Sequence, residues 1–188
     1  GDPVPCLETV ADITHDGCCV TRVSVATHTG THIDAAAHVM QDGKRLGDYP
    51  LATFSGTACV VDLRGADEPI DASVLDGIDP CDWLLLCTGQ STKWGTEDYF
   101  GTEPLFTEAF VKAAARIARK GIGLDCAGLD REGVVLHCVW FSSGGGLMVE
   151  NLTDLEILLS ESRILFAAYP LKLAADDGAP VRAVALIG

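Results

Sequence analysis

Thr107-Glu108-Ala109-Phe110-Val111-Lys112-Ala113-Ala114-Ala115-Arg116-Ile117-Ala118-Arg119-Lys120-Gly121-Ile122-Gly123-Leu124-Asp125-Cys126 contains the change of period that sets the fold class. Over residues 107–120, Phe110, Val111, Ala114, Ile117 and Ala118 recur at helical spacing and form one core-facing stripe. Thr107 is a candidate N-cap, and Glu108 suits the positive end of the helix dipole. Arg116, Arg119 and Lys120 supply positive charge at the opposite end, and Gly121 stops the helix. Residues 122–126 then read as a strand. Upstream, Trp83-Leu84-Leu85-Leu86-Cys87 is a short apolar run closed by Thr88-Gly89, the pattern of a central strand buried on both faces. Strand, helix and strand in that order predict a crossover unit with parallel strands, and therefore an α/β domain.

Working outward, residues 20–27, 57–63, 147–149, 164–168 and 181–187 are further strand candidates, with Asp177-Gly178 turning between the last two. Short helices are expected over 69–75 and 152–159, irregular chain over 1–19, and a loop with a short element over 46–54. Residues 89–102 form a polar, glycine-rich loop interleaved with Trp94, Tyr99 and Phe100, as expected of a ligand-facing segment. There is no internal repeat, low-complexity tract or linker. The expectation is one α/β domain over 1–188.

Bulk properties narrow the function. Hydrophobic residues make up 48% and charged residues 21% of the 188, a globular balance. A net charge of −14 argues against nucleic acid and anionic membrane surfaces, both of which call for basic patches. No apolar run reaches about 18 residues, so no membrane span is expected. No basic start followed by an apolar stretch opens the sequence. The eight cysteines (6, 18, 19, 59, 81, 87, 126 and 138) include no Cys-x-x-Cys pair. Cys59, Cys87, Cys126 and Cys138 sit in or beside apolar runs, so reduced thiols in a cytoplasmic protein are expected.

Residues 20–27 lead into His28-Thr29-Gly30-Thr31-His32-Ile33-Asp34-Ala35-Ala36-Ala37-His38. Three of the five histidines and an aspartate fall here, every gap between them even. In an extended chain such residues share one face, with Gly30 leaving room between His28 and His32. Two imidazoles and a carboxylate converging on one point are a first shell for zinc, manganese or iron. His15 has no ligand spacing to this cluster and reads as a surface or loop histidine. Taken alone, His137 reads as structural, and Glu150 as a helix-capping or surface acid.

The segment resembles the His-x-Gly-Thr-His-x-Asp-x-Pro-x-His signature of the cyclase family of metal-dependent hydrolases, which includes bacterial kynurenine formamidases and isatin hydrolases. One fixed position departs: Ala36 stands where the family has proline. Glu150-Asn151-Leu152, Ala168-Tyr169-Pro170-Leu171 and Asp177-Gly178-Ala179-Pro180-Val181-Arg182-Ala183-Val184 match later parts of the family pattern. Val139-Trp140-Phe141 replaces the leucine pair that commonly follows the family's second-segment histidine, here His137.

The resemblance implies a single α/β domain, a mixed sheet flanked by helices in the manner of the family's swivelling β/β/α fold. The usual opening strand is expected to be absent from this chain. It implies a centre of one or two divalent ions, zinc or manganese, held by His28, His32, Asp34, His137 and Glu150, with Asp34 the candidate bridge. His38 is implied as the catalytic acid/base, a second-shell place or a further metal ligand being the other roles open to it. The implied reaction is hydrolysis of an amide C–N bond, in an arylformamide or a cyclic amide, by metal-activated water. Trp94, Tyr99, Trp140 and Phe141 are candidate walls for an aryl or cyclic substrate, and Arg182 or Lys172 candidate partners for a substrate carboxylate. The small-molecule enzyme is expected to be a homodimer or higher homo-oligomer. The competing reading is a catalytically inactive metal- or small-molecule-binding protein of the same fold.

Overall fold

Seven strands close into a barrel, running in order around its wall as His32–Asp34, Leu147–Glu150, Ala118–Leu124, Cys81–Cys87, Ser55–Asp62, Ile164–Pro170 and Gly178–Ile187. The computed structural model describes residues 3–174 and 176–188. Before the barrel comes a two-stranded antiparallel ribbon of β1 (Cys6–Ala11) and β2 (Val20–Ser24), joined through the short helix α1 (Ile13–Asp16). The barrel strands are β3 (His32–Asp34), β4 (Ser55–Asp62), β5 (Cys81–Cys87), β6 (Ala118–Leu124), β7 (Leu147–Glu150), β8 (Ile164–Pro170) and β9 (Gly178–Ile187). Neighbours among β4, β5, β6 and β7 run parallel, whereas β3, β8 and β9 join antiparallel.

The expected crossover is present: β5, helix α2 (Glu108–Ile117) and β6 follow in order, and the two strands are parallel neighbours. Thr107 caps α2 by accepting from the Phe110 amide at 3.0 Å. The helix ends three residues sooner than its charge pattern predicts. Ala118 pairs with Cys81, so Arg119 and Lys120 belong to the strand instead. There the Lys120 ammonium meets Asp82 at 3.2 Å and the Ser55 carbonyl at 2.8 Å. A second helix, α3 (Val135–Ser142), crosses from β6 to β7 and was not anticipated from sequence. The stretch expected to be irregular over 1–19 contains β1 and α1, while its first two residues lie outside the described ones.

Strand alternation sorts the core into two bodies. Trp83, Leu85 and Cys87 of β5 pack inside the barrel with Ile33, Val149, Phe166 and Ala179. Leu84 and Leu86 point outward, against Phe110, Val111 and Ala114 of α2 and Trp140 and Phe141 of α3. Gly121 is required on the inner face, because a Cβ there would lie 2.5 Å from both the Trp83 ring and the Leu147 carbonyl. No described helix is long and apolar enough to cross a membrane.

Candidate metal centre

Because Ile33 packs inside the barrel, His32 and Asp34 point out of it. They share that outer wall with Met148 and Glu150 of β7, and the antiparallel register sets His32 directly opposite Glu150. His28 arrives differently from the expected extended run. The strand is only His32–Asp34, and the chain before it turns, with Gly30 at φ 66. The turn lays the His28 ring over Asp34, its Nδ1 at 2.8 Å from Oδ1. Gly178 makes space for that ring, since a Cβ there would come within 2.8 Å of His28 Cε1. His137 projects from the start of α3, its Nε2 at 2.9 Å from Glu150 Oε1 and 4.0 Å from Asp34 Oδ2. Gly128, at φ 137, lies so close that a Cβ would meet Glu150 Oε1 at 2.6 Å.

These residues form two triplets able to hold a metal ion, His28–His32–Asp34 and Asp34–His137–Glu150, which share Asp34. Asp34 Oδ1 faces His28 and His32 (2.8 and 3.2 Å), while Oδ2 faces His137. His32 Nε2 and both Asp34 oxygens are buried without a hydrogen-bond partner. Such groups are costly to bury unpaired. Close approach without hydrogen-bond alignment is the arrangement that a cation among the lone pairs would satisfy, so the donor set fits a divalent metal.

The outer nitrogen of each imidazole is held. His28 Nε2 lies 3.0 Å from Asp177 Oδ2, His32 Nδ1 2.8 Å from the Gly30 carbonyl, and His137 Nδ1 2.6 Å from Asp130 Oδ2. Such partners fix ring orientation and tautomer, leaving the inner nitrogen free to bind a cation. In the metal-free protein, burial lowers the His32 and His137 pKa values, but the surrounding carboxylates outweigh it and raise each to about 10. Burial works the other way on Asp34, yet His28 and His32 hold its carboxyl well below the usual range.

His38 ends a 3₁₀ turn, Ala36–His38. Ala36 takes the first position of that turn, where proline's missing N–H would cost nothing, and alanine supports the same turn: the His38 amide donates to the Ala35 carbonyl at 2.9 Å. The His38 ring lies 4.0 Å from that of His28 and 6.0 Å from that of His137, centroid to centroid. Burial lowers its pKa, helped by His28 and His137 and opposed by Asp34 and Glu150, which favours the neutral ring.

A cleft of about 350 Å³ opens over these groups, lined by His28, His32, His38, His137 and Glu150 together with Trp94, Phe100 and Asn151. Of the four expected wall residues only Trp94 lines it. Tyr99 is buried beneath the loop and donates its hydroxyl to Asn151 Oδ1 at 2.6 Å. Trp140 and Phe141 are placed in the core against the barrel, with the Trp140 indole N–H bonded to the Gly146 carbonyl. Phe100 takes up the wall position, 69% exposed beside the half-exposed Trp94. Arg182 and Lys172 lie in other grooves. His15 sits on the exposed α1, paired with Asp12.

Sequence reasoning missed Asp130, Asp177 and Asn151. Asp177 was visible as half of an Asp-Gly turn and as the first residue of a stretch matching the family pattern, with no role attached to it. Asp130 carried a weak signal, seven residues before His137, whose amide and that of Leu136 it accepts.

A mixed α/β barrel with two joined histidine–carboxylate triplets on its outer wall defines a metalloenzyme. The chain belongs to the cyclase family, whose model, described as "Putative cyclase", matches residues 3–131. A kynurenine formamidase of Salinibacter ruber is 30% identical over 167 residues, covering 85% of this chain and 76% of the relative. A kynurenine formamidase of Maricaulis maris is 29% identical over 179 residues, covering 88% and 79%. Among solved structures, a predicted metal-dependent hydrolase from Bacillus stearothermophilus aligns at TM-score 0.74 and 30% identity, covering 95% of this chain and 85% of that one. Isatin hydrolase A from Labrenzia aggregata aligns at TM-score 0.83 over 100% of this chain and 84% of that one; at 24% identity the likeness is one of fold.

Proposed function

We propose that this chain is a divalent-metal-dependent hydrolase of an amide C–N bond, acting on an arylformamide or a cyclic aryl amide. The observation that carries this reading is the buried, unpartnered set of His32 Nε2 and the two Asp34 oxygens beneath an aromatic-walled cleft. His28 and His32 would hold an ion on one side of Asp34, and His137 and Glu150 one on the other. Zinc or manganese would suit these imidazole and carboxylate ligands, and Asp34, common to both triplets, would serve either a single ion or a pair. A divalent ion there supplies Lewis acidity, polarising the carbonyl and lowering the pKa of water from about 15.7 towards about 7.

The chain's own groups supply the rest. Trp94 and Phe100 hold the aryl ring by its faces. His38, its neutral form favoured by burial, takes a proton from the attacking water and delivers it to the departing nitrogen. The C–O bond forms, the C–N bond breaks, and the products are an amine and a carboxylic acid, which ionises to carboxylate by releasing its remaining proton to solvent.

We also read the protein as a cytoplasmic homo-oligomer. The eight free thiols support a reducing compartment. The ribbon supports self-association: Leu7 pairs across from Val23 and Thr9 from Thr21, an uncharged face open to water, while the opposite face carries the Glu8–Arg22 ion pair.

The deciding experiment measures metal content, then hydrolysis of N-formylkynurenine and isatin before and after chelation. Expected are bound zinc or manganese, loss of hydrolysis with chelator and its return with metal. Bound metal without turnover of either amide would point to an inactive binding protein, and no metal uptake would end the reading.

A further inference from the structure

Asn151 stands out in the backbone as well as in the cleft. It follows Glu150 directly and sits at φ 56, in the left-handed region that non-glycine residues seldom adopt. All of its polar groups are engaged. Its amide donates to the Cys126 carbonyl at 3.0 Å, and its carbonyl accepts from Thr31 Oγ1 at 2.7 Å. Its side-chain nitrogen donates to the Gly30 carbonyl at 3.0 Å, and its side-chain oxygen accepts from Tyr99 Oη at 2.6 Å. The same Gly30 carbonyl receives His32 Nδ1 at 2.8 Å. At the other end, the buried Tyr99 ring makes edge contacts with Trp94 (4.9 Å) and Phe100 (5.0 Å), the two exposed aromatics over the cleft.

We propose that Tyr99 and Asn151 are positioning residues forming a relay, Tyr99–Asn151–Gly30–His32, that couples the metal centre to the aromatic wall. This rests on the reading of His32 as a metal ligand. The relay explains why a residue in a strained conformation is held by four hydrogen bonds. It joins two segments far apart in sequence, the turn that presents His28 and His32 and the loop that presents Trp94 and Phe100. Ligation fixes the His32 ring, hence the Gly30 carbonyl, the Asn151 amide and the Tyr99 ring on which both wall residues lean. Coupling of this kind is reciprocal: a wall that is anchored raises metal affinity, and a filled centre steadies the wall.

The test uses Tyr99→Phe, which removes one hydroxyl, and Asn151→Gly, which accepts the positive φ while removing both side-chain bonds. Zinc is titrated into the metal-free full chain by calorimetry, and acrylamide quenching of tryptophan fluorescence is followed with and without zinc. Trp83 and Trp140 are fully buried, so quenching reports Trp94. The unaltered chain is expected to bind zinc and to show less quenching when filled. Both variants are expected to bind zinc about fivefold or more weakly and to lose the zinc-dependent change in quenching. Variants matching the unaltered chain in both readouts, or unaltered chain whose quenching ignores bound zinc, would overturn the relay and leave the metal centre standing. Failure of the unaltered chain to bind zinc, or manganese titrated in the same way, would overturn both.

Discussion

His38 and His32 lie six residues apart in one segment and have separable tasks. His32 is buried, with an inner nitrogen that lacks any partner, whereas His38 stands on the cleft wall with its pKa lowered by burial. His38→Ala is expected to keep the bound metal and lose about 10²- to 10⁴-fold in kcat, the usual worth of a positioned acid/base. His32→Ala is expected to lose the metal as well. Metal analysis beside kinetics checks this, and equal metal loss in both variants would make His38 a ligand. These histidines were legible because the motif places three of them and Asp34 within eleven residues. Asp130 and Asp177 were far less so, because each works from a separate loop by hydrogen bonds to a ligand's outer nitrogen, Asp130 adding the His137 amide, and such contacts leave little or no spacing pattern. Trp140 and Phe141 misled for a related reason: an aromatic residue has the same letter in a core as on a cleft wall.

At the scale of elements, the central strands and α2 could be read because their apolar periods are clean and their ends carry caps and turns. Helix α3 was hidden because Val134, Val135 and Val139 suit a strand and its apolar residues surround the axis instead of lining one stripe. The early end of α2 was hidden because Arg119 and Lys120 suit a helix C-terminus until strand pairing claims them. The ribbon is the element whose role is most open to experiment. A two-stranded ribbon on its own is marginal in water, so its uncharged face gains from being covered. Leu7→Lys combined with Val23→Glu places opposite charges directly across the pair, which preserves the ribbon while making that face polar. The expected result, by light scattering after size exclusion, is a shift from oligomer to monomer with metal content unchanged. An unchanged mass would remove the ribbon face from the interface.

For the whole molecule, the charges gathered on one wall of the barrel tie stability to pH. In the metal-free protein His32 and His137 are raised from 6.5 to about 10. Raised histidines contribute stability that is fully present below about pH 6.5 and is lost as pH rises through about 10. Thermal melts of metal-free protein are therefore expected to fall in Tm from pH 7 to pH 10. Metal binding needs those imidazoles neutral, so the rise in Tm on adding zinc is expected to be larger at pH 9 than at pH 6. A Tm of the metal-free protein that is flat over this range would show that neither histidine holds a proton between the carboxylates.

Closure of the barrel has a consequence for handling the protein. A sheet closed on itself offers no unpaired strand to template further strands, which is how many sheet proteins begin to aggregate. Among the described residues the ribbon is where free edges remain: β1 and β2 each bond on one side only. Cys18 and Cys19 lie exposed in the same arm. On storage in air, fibrous or cross-linked material should therefore start at this arm, and reductant together with a charge on its edge should keep the preparation clear.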